Sequence, residues 1–255
     1  ADVARKITDK TKMIVPVHIG GYPVDMDPIM EIAKRHNIKV IEDCAQSYMT
    51  KYKGRLCGTI GDIGCFSLND FKHISAGDGG LIITKDKSLY ETCLRFTDKN
   101  YQRLKVDGKL DRDIPFLAPN YRMNELTGAV GLAQLDRLEW LCERRHQQGE
   151  RIAEALGKLP GFHPAKVHGG KDSYGSYWYY MFTIDEETAG VSRNDFCDAV
   201  KETGLGFCWS GYLSTHTAML DAIGYRRLTS KAILAHTIGG LVAAMVAHWL
   251  YVIVM

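Results

Sequence analysis

Cys65-Phe66-Ser67-Leu68-Asn69-Asp70-Phe71-Lys72-His73-Ile74-Ser75-Ala76-Gly77-Asp78-Gly79-Gly80 places a serine and a lysine directly after an apolar run and closes on a glycine-rich turn. Two readings of it are open. A lysine in a loop is ordinarily solvated, and glycines after a strand often make a hairpin. The same pattern also suits an amine held at the end of a buried strand to attack a carbonyl, with the glycines forming a nest of backbone N–H groups for an anion.

The chain around this stretch reads as alternating strands and helices. Met13–His18 (MIVPVH) is a short apolar strand ending at Gly20-Gly21. Asp27 is placed to cap a helix with Pro28 at its first position, and Ile29, Ile32 and Ala33 follow at helical spacing. Lys39–Ala45 (KVIEDCA), Ile63–Leu68 and Gly80–Thr84 are further strands, so the order predicts βαβ winding and a largely parallel sheet. Residues 123–156 predict one long helix or two joined ones, with Leu126, Ala129, Val130, Ala133, Leu135, Leu138 and Leu141 as its apolar positions. Gly128 and Gly131 inside it imply close packing against another backbone. Leu159-Pro160-Gly161 breaks the chain, Ser176–Ile184 (SYWYYMFTI) is strand-like, and Ser192 to Asp195 opens a helix as a capping box.

With 255 residues the chain has room for one large domain or two smaller ones. Lys+Arg number 32 and Asp+Glu 30, so the net charge of +2 gives no reason to expect nucleic acid as a partner. Seven scattered cysteines without a Cys-x-x-Cys pair fit neither zinc nor a disulfide framework, and predict a reducing cytoplasm. The first residues carry no apolar signal core. From Ala232 to Met255 there are 24 residues without Asp, Glu, Lys or Arg. That tail is long enough to span a membrane, and three readings stay open for it: a spanning helix, an apolar helix covering a small domain, or out-of-frame translation.

Glu42-Asp43-Cys44-Ala45-Gln46 ends an apolar strand, where ligands of open α/β sheets bind. A carboxylate there needs a partner or solvent. Asn120-Tyr121-Arg122 precedes the long helix, and Asn120 by itself is a candidate N-cap. The nine histidines contain no His-x-x-x-His or His-Glu-x-x-His pair, so no metal site is expected.

Taken in order, VPVHIGG at 15–21, IEDCAQS at 41–47, YKGRLCGTIGDIGCFSLNDFKHISAGDGGLIIT at 52–84 and PNYRMNELTGAVGLAQLDRL at 119–138 make the chain resemble the DegT/DnrJ/StrS family of pyridoxal phosphate-dependent sugar aminotransferases. The resemblance implies the α/β fold-type-I aminotransferase architecture. Residues 1–155 would be the C-terminal part of the cofactor-binding large domain, 156–230 part of a small α+β domain, and 231–255 an apolar tail. By the same resemblance Lys72 matches the lysine that forms the internal aldimine with pyridoxal phosphate. Asp43 matches the partner of the pyridine nitrogen, Gln46 the contact to the ring hydroxyl, and Ser67 a phosphate-binding serine. Asn120 matches the asparagine that reaches the cofactor of a neighbouring subunit, which implies a homodimer. His18, His73, Tyr121 and Arg122 are candidates for the substrate side.

The activity so implied is transfer of an amino group from glutamate or glutamine to a nucleotide-linked keto-sugar or related cyclic ketone. The alternative is an inactive remnant of such an enzyme, tethered to a membrane through residues 232–255. Family members carry further residues ahead of VPVHIGG, including a phosphate-holding turn and an aromatic that stacks on the cofactor, so the chain reads as truncated at its N-terminus. Some members replace the lysine with histidine and act as dehydratases. Here Lys72 is intact and His73 is only its neighbour, which points to transamination.

Overall fold

The apolar runs on either side of Lys72 become neighbouring strands. A computed structural model describes residues 2–101, 105–106, 108–110, 114–204 and 208. In chain order it begins with helix Asp2–Lys6 (α1), strand Met13–Ile14 (β1), a 3-10 turn at Ile19–Gly21, helix Met26–His36 (α2) and strand Lys39–Asp43 (β2). A small hairpin, Lys51–Tyr52 (β3) and Arg55–Leu56 (β4), precedes strands Ile63–Ser67 (β5) and Gly80–Ile83 (β6). Helix Lys87–Thr97 (α3), hairpin strands Lys105–Val106 (β7) and Lys109–Leu110 (β8), and helices Glu125–Leu135 (α4) and Leu138–Leu156 (α5) come next. Strands Phe162–Pro164 (β9) and Phe182–Ile184 (β10), then helices Glu186–Ala189 (α6) and Arg193–Glu202 (α7), complete the series.

The described residues fall into two compact units, divided within α5 at Glu150/Arg151. Sequence alone placed a single break near 155. In the structure Lys166–Tyr180 also returns to the first unit, so the division is crossed more than once. The first unit is α/β, built on a four-stranded sheet in the order β1-β2-β5-β6. The pairs β1–β2 and β2–β5 are parallel, while β5–β6 is an antiparallel hairpin that sets Ser67 opposite Gly80. The glycines after Lys72 therefore lie in the loop of a hairpin. Met26, Ala33, Val40, Cys44, Tyr52 and Cys57 form one core cluster. Tyr48, Leu68, Ile74, Leu138 and Cys142 form a second. In the second unit β9 and β10 pair antiparallel, and Phe162 and Phe182 set their rings 5.0 and 5.8 Å from that of Phe196 on α7.

Several local expectations change. The N-cap position of α2 is Asp25, not Asp27, and its side chain makes no cap bond but accepts from Tyr52 O–H at 2.6 Å, while Asp27 in the first turn pairs with Lys53 Nζ at 2.6 Å and Arg55 Nη2 at 2.9 Å. Residues 123–156 form two helices, and the cap of α4 is Asn124, whose side chain accepts from Thr127 N–H. Asn120 is four residues upstream, in a bridge with Asp98. Only the last third of 176–184 is strand. Ser192 does cap α7, accepting from Asp195 N–H. Among the described residues no helix is long and apolar enough to cross a membrane. The tail 232–255 lies outside the described residues.

Candidate active site around Lys72

Parallel pairing of β2 with β5 brings Glu42 and Asp43 beside Gly64 and Cys65, so the carboxylates end on the same sheet edge from which the Lys72 turn departs. Cys44 N–H continues the pairing to Cys65 O at 2.8 Å. On the other side His18 N–H donates to Asp43 O at 3.0 Å, and Asp43 N–H to Pro16 O at 2.9 Å.

The two adjacent carboxylates have separate roles. Glu42 is fully buried, and its oxygens accept from Gly58, Ile60 and Gly61 N–H at 2.6–2.8 Å and from His18 Nε2 at 3.0 Å. Burial works against its charge, but His18 and the Gly61 and Gly58 N–H groups outweigh burial and hold its pKa below the ordinary value. Glu42 therefore fixes the 58–61 loop. Asp43 is 7% exposed and takes one bond, from Ala45 N–H to Oδ1 at 3.0 Å. Among the described residues nothing donates to its Oδ2. Burial pushes the Asp43 carboxyl up, against the pull of Ala45 N–H, Lys72 and His18.

Lys72 sits in a turn closed by its N–H on Asn69 O at 3.1 Å. Its Nζ stands 4.5 Å from the ring centre of Trp178. Burial lowers its pKa and the Asp43 charge opposes that, leaving the amine easier to deprotonate than an exposed lysine. Ser67 is buried at the end of β5 and accepts from Asn69 N–H at 3.3 Å, which leaves its own O–H to donate. Gln46 accepts from Gly20 N–H through Oε1 at 2.8 Å, so its amide N–H groups are left as donors.

This donor set fits pyridoxal phosphate. An open, buried carboxylate oxygen suits a pyridinium N–H, an amine of lowered pKa suits an aldehyde, an amide donor suits a ring oxygen, and a serine hydroxyl suits a phosphate.

The substrate-side candidates divide. His18 is fully buried, its Nδ1 accepts from Val24 N–H at 3.0 Å, and so Nε2 carries the proton it gives to Glu42. Both nitrogens are used inside the protein, an arrangement that suits a positioning group. His73 is 2% exposed, with Nε2 bonded to Ser176 O at 3.2 Å. Burial pushes its pKa down to about 4, so it stays neutral and structural. Asn120, Tyr121 and Arg122 lie together on the segment before α4. Lys99 N–H donates to Pro119 O and Tyr121 N–H to Thr97 O, and Arg122 is 3.8 Å from Asp98. Among the described residues no hydrogen bond or ion pair joins these three to Asp43, Gln46, Ser67 or Lys72.

His18, Glu42 and Cys44 bring ligand-type atoms within 4.8 Å of one another. Glu42 is already saturated by four donors, and burial drives the Cys44 thiol far up, so the cluster is hydrogen-bonding chemistry. The residue that sequence reasoning missed is Trp178. Its aromatic neighbourhood, SYWYYMFTI, reads as a strand, and nothing local marks one of its rings as a partner of a lysine 106 positions earlier.

The chain matches the DegT/DnrJ/EryC1/StrS aminotransferase family over residues 1–240. It belongs to that family. Over 204 residues it is 38% identical to GDP-perosamine synthase of Escherichia coli O157:H7, an alignment covering 80% of this chain and 54% of that protein. The chain spans about half the length of the curated relatives it matches. Among solved structures it is similar to the aminotransferase from Psychrobacter cryohalolentis, with TM-score 0.70 and 28% identity over 89% of this chain and 62% of that one. It is also similar to the E. coli GDP-4-keto-6-deoxy-D-mannose-3-dehydratase with bound hydrated PLP, with TM-score 0.66 and 25% identity over 79% of this chain and 54% of that one.

Proposed function

We propose that the chain carries the lysine side of a pyridoxal phosphate site that transfers an amino group from glutamate or glutamine to a nucleotide-linked keto-sugar or a related cyclic ketone. The observation that carries this reading is a buried Asp43 with an open Oδ2 at the end of β2, acting on a Lys72 amine of lowered pKa in the loop that follows the adjacent parallel strand β5. Family membership and the 38% likeness to a GDP-perosamine synthase support the sugar class of acceptor.

Bound there, pyridoxal phosphate supplies an electron sink for the carbon that loses its proton. Asp43 holds a proton at the pyridine nitrogen and has no competing donor on Oδ2. Lys72 Nζ is the nucleophile in its neutral form. As a free amine it would move a proton at the reacting carbon, as a base already within reach. Gln46 and Ser67 orient the ring oxygen and the phosphate. An intact lysine at position 72 favours amino transfer over the dehydratase chemistry of the E. coli relative.

A homodimer belongs to the same reading. It is supported by the exposed apolar side chains of α4, where Leu126 is 81% and Leu132 69% exposed, and by Asn120 on the segment leading into that helix. The scattered cysteines support a cytoplasmic location.

The test is transfer of label. The full chain is supplied with pyridoxal phosphate, a nucleotide-linked keto-sugar and either amine-labelled glutamate or amide-labelled glutamine, and the sugar product is weighed by mass spectrometry. Nitrogen label in the sugar is the expected result. No label from either donor, across several keto-sugars, would favour the inactive-remnant alternative.

A further inference from the structure

The segment Tyr174–Tyr180 lies across the Lys72 turn from a distant part of the sequence, and it is fastened at nearly every residue. Tyr174 and Lys51 exchange two backbone bonds of 2.9 Å. Ser176 bonds Thr50 Oγ1 at 2.8 Å, its N–H donates to Gly21 O, and its carbonyl meets His73 Nε2. Tyr177 sits at φ 44° and stacks edge-on against Tyr22 at 5.1 Å. Gly21 is required beneath it, because a Cβ there would stand 2.5 Å from Tyr177 N. Arg145 on α5 donates to Tyr177 O at 3.2 Å and to Trp178 O at 2.9 Å.

Trp178 is thus pinned on three sides. Its N–H donates to Gly20 O at 2.9 Å, its carbonyl accepts from Arg145, and its indole Nε1–H donates to Phe71 O at 2.6 Å. Phe71 is the residue immediately before the lysine, so the bond that orients the indole also ties it to the Lys72 turn. The ring face is left with Lys72 Nζ over it at 4.5 Å, well inside the range of a cation–π contact.

We propose that Trp178 is a positioning residue for Lys72, its indole face holding Nζ as an ammonium ion whenever that nitrogen is not bonded to the cofactor. This rests on the reading of Lys72 as the cofactor lysine. The ring counters the burial that would otherwise strip the charge, and it keeps a long, mobile side chain in one place. The charged group that acts on Nζ is Asp43 from β2, which favours the ammonium form; Arg145 on α5 keeps its charge while donating to the Tyr177 and Trp178 carbonyls, and acts on His73. His73 beside it stays neutral. Release of Lys72 to attack an aldehyde then requires leaving the indole face, which makes Trp178 a determinant of the pH at which the lysine reacts.

The test needs no cofactor. The full chain is labelled with an acylating reagent over a range of pH, and the rate at Lys72 is read by peptide mass spectrometry. Trp178→Leu keeps an apolar cover but has no ring quadrupole. Its Lys72 is expected to titrate about 0.5–1 unit lower and to label about three- to tenfold faster below the midpoint. An unchanged or higher midpoint in folded Trp178→Leu would overturn the proposal. Should that variant not fold, the unaltered chain with a 15N-labelled indole decides the matter. The Trp178 Nε1–H resonance should titrate with the Lys72 midpoint and lose that titration in Lys72→Met, and a resonance indifferent to Lys72 overturns the proposal. A shifted midpoint without any trapped pyridoxal phosphate would sink the functional reading alone. A trapped cofactor with no role for the indole would sink this inference alone.

Discussion

Glu42 and Asp43 are adjacent, both acidic and both buried, and their surroundings give them different work. Glu42 meets four donors and holds a loop, while Asp43 meets one and keeps an oxygen open. The position of the pair at a strand end was legible in sequence, but the division of labour was not, because the donors come from the 58–61 loop and from His18. His73 shows the same limit. Its place next to Lys72 suggested a substrate contact, whereas burial, partly offset by the Ser176 carbonyl, lowers its pKa from 6.5 to about 4. Between those values the unfolded chain binds a proton at this histidine that the folded chain does not. Stability should therefore fall as pH drops through that window, by about 3 kcal/mol at its lower end. His73→Gln keeps an N–H donor but does not titrate. Urea unfolding at several pH values should show a shallower acid-side loss in that variant, and an identical slope would contradict the assignment.

At the scale of elements, the strands β2, β5 and β6 were readable because each is a short apolar run bounded by turn residues, while the antiparallel pairing of β5 with β6 was not. The helical glycines were not. Gly128 and Gly131 suggested close backbone packing, yet a Cβ on Gly128 would meet nothing nearer than Met123 Sδ at 3.8 Å. The close contact is at Gly149, where a Cβ would stand 2.2 Å from the Tyr177 ring, pressed there by a segment remote in sequence. Gly128→Ala is expected to stabilise by about 0.5–1 kcal/mol, and Gly149→Ala to destabilise by about 1–3 kcal/mol, both read by thermal or denaturant unfolding. Of the apolar positions read for this stretch, Leu126, Val130 and Leu135 are 81, 47 and 45% exposed, and Leu132 beside them is 69% exposed. Exposed apolar side chains gathered on one helix are characteristic of an interaction surface. If it joins two copies of the chain, the double substitution Leu126→Glu with Leu132→Glu converts dimer to monomer in sedimentation, while changing the stability of the fold by no more than about 0.5 kcal/mol. A parent chain that sediments as a monomer would contradict the dimer.

At the scale of the whole molecule, the four ordered motifs carried the family and the fold class, and the structure supplied what order along the chain cannot. The Lys166–Tyr180 stretch leaves the second unit for the first, and it brings Trp178 to Lys72, Ser176 to His73 and Tyr174 to Lys51. Those contacts join positions more than 100 residues apart, and no local pattern encodes them. They surround the one lysine on which the account depends. The most direct measurement is to add pyridoxal phosphate to the purified full chain, reduce with borohydride, and locate the adduct by peptide mass spectrometry. A phosphopyridoxyl group on Lys72 is expected, lost in Lys72→Met and weakened in Asp43→Asn. An adduct scattered over surface lysines with Lys72 unmodified would contradict it.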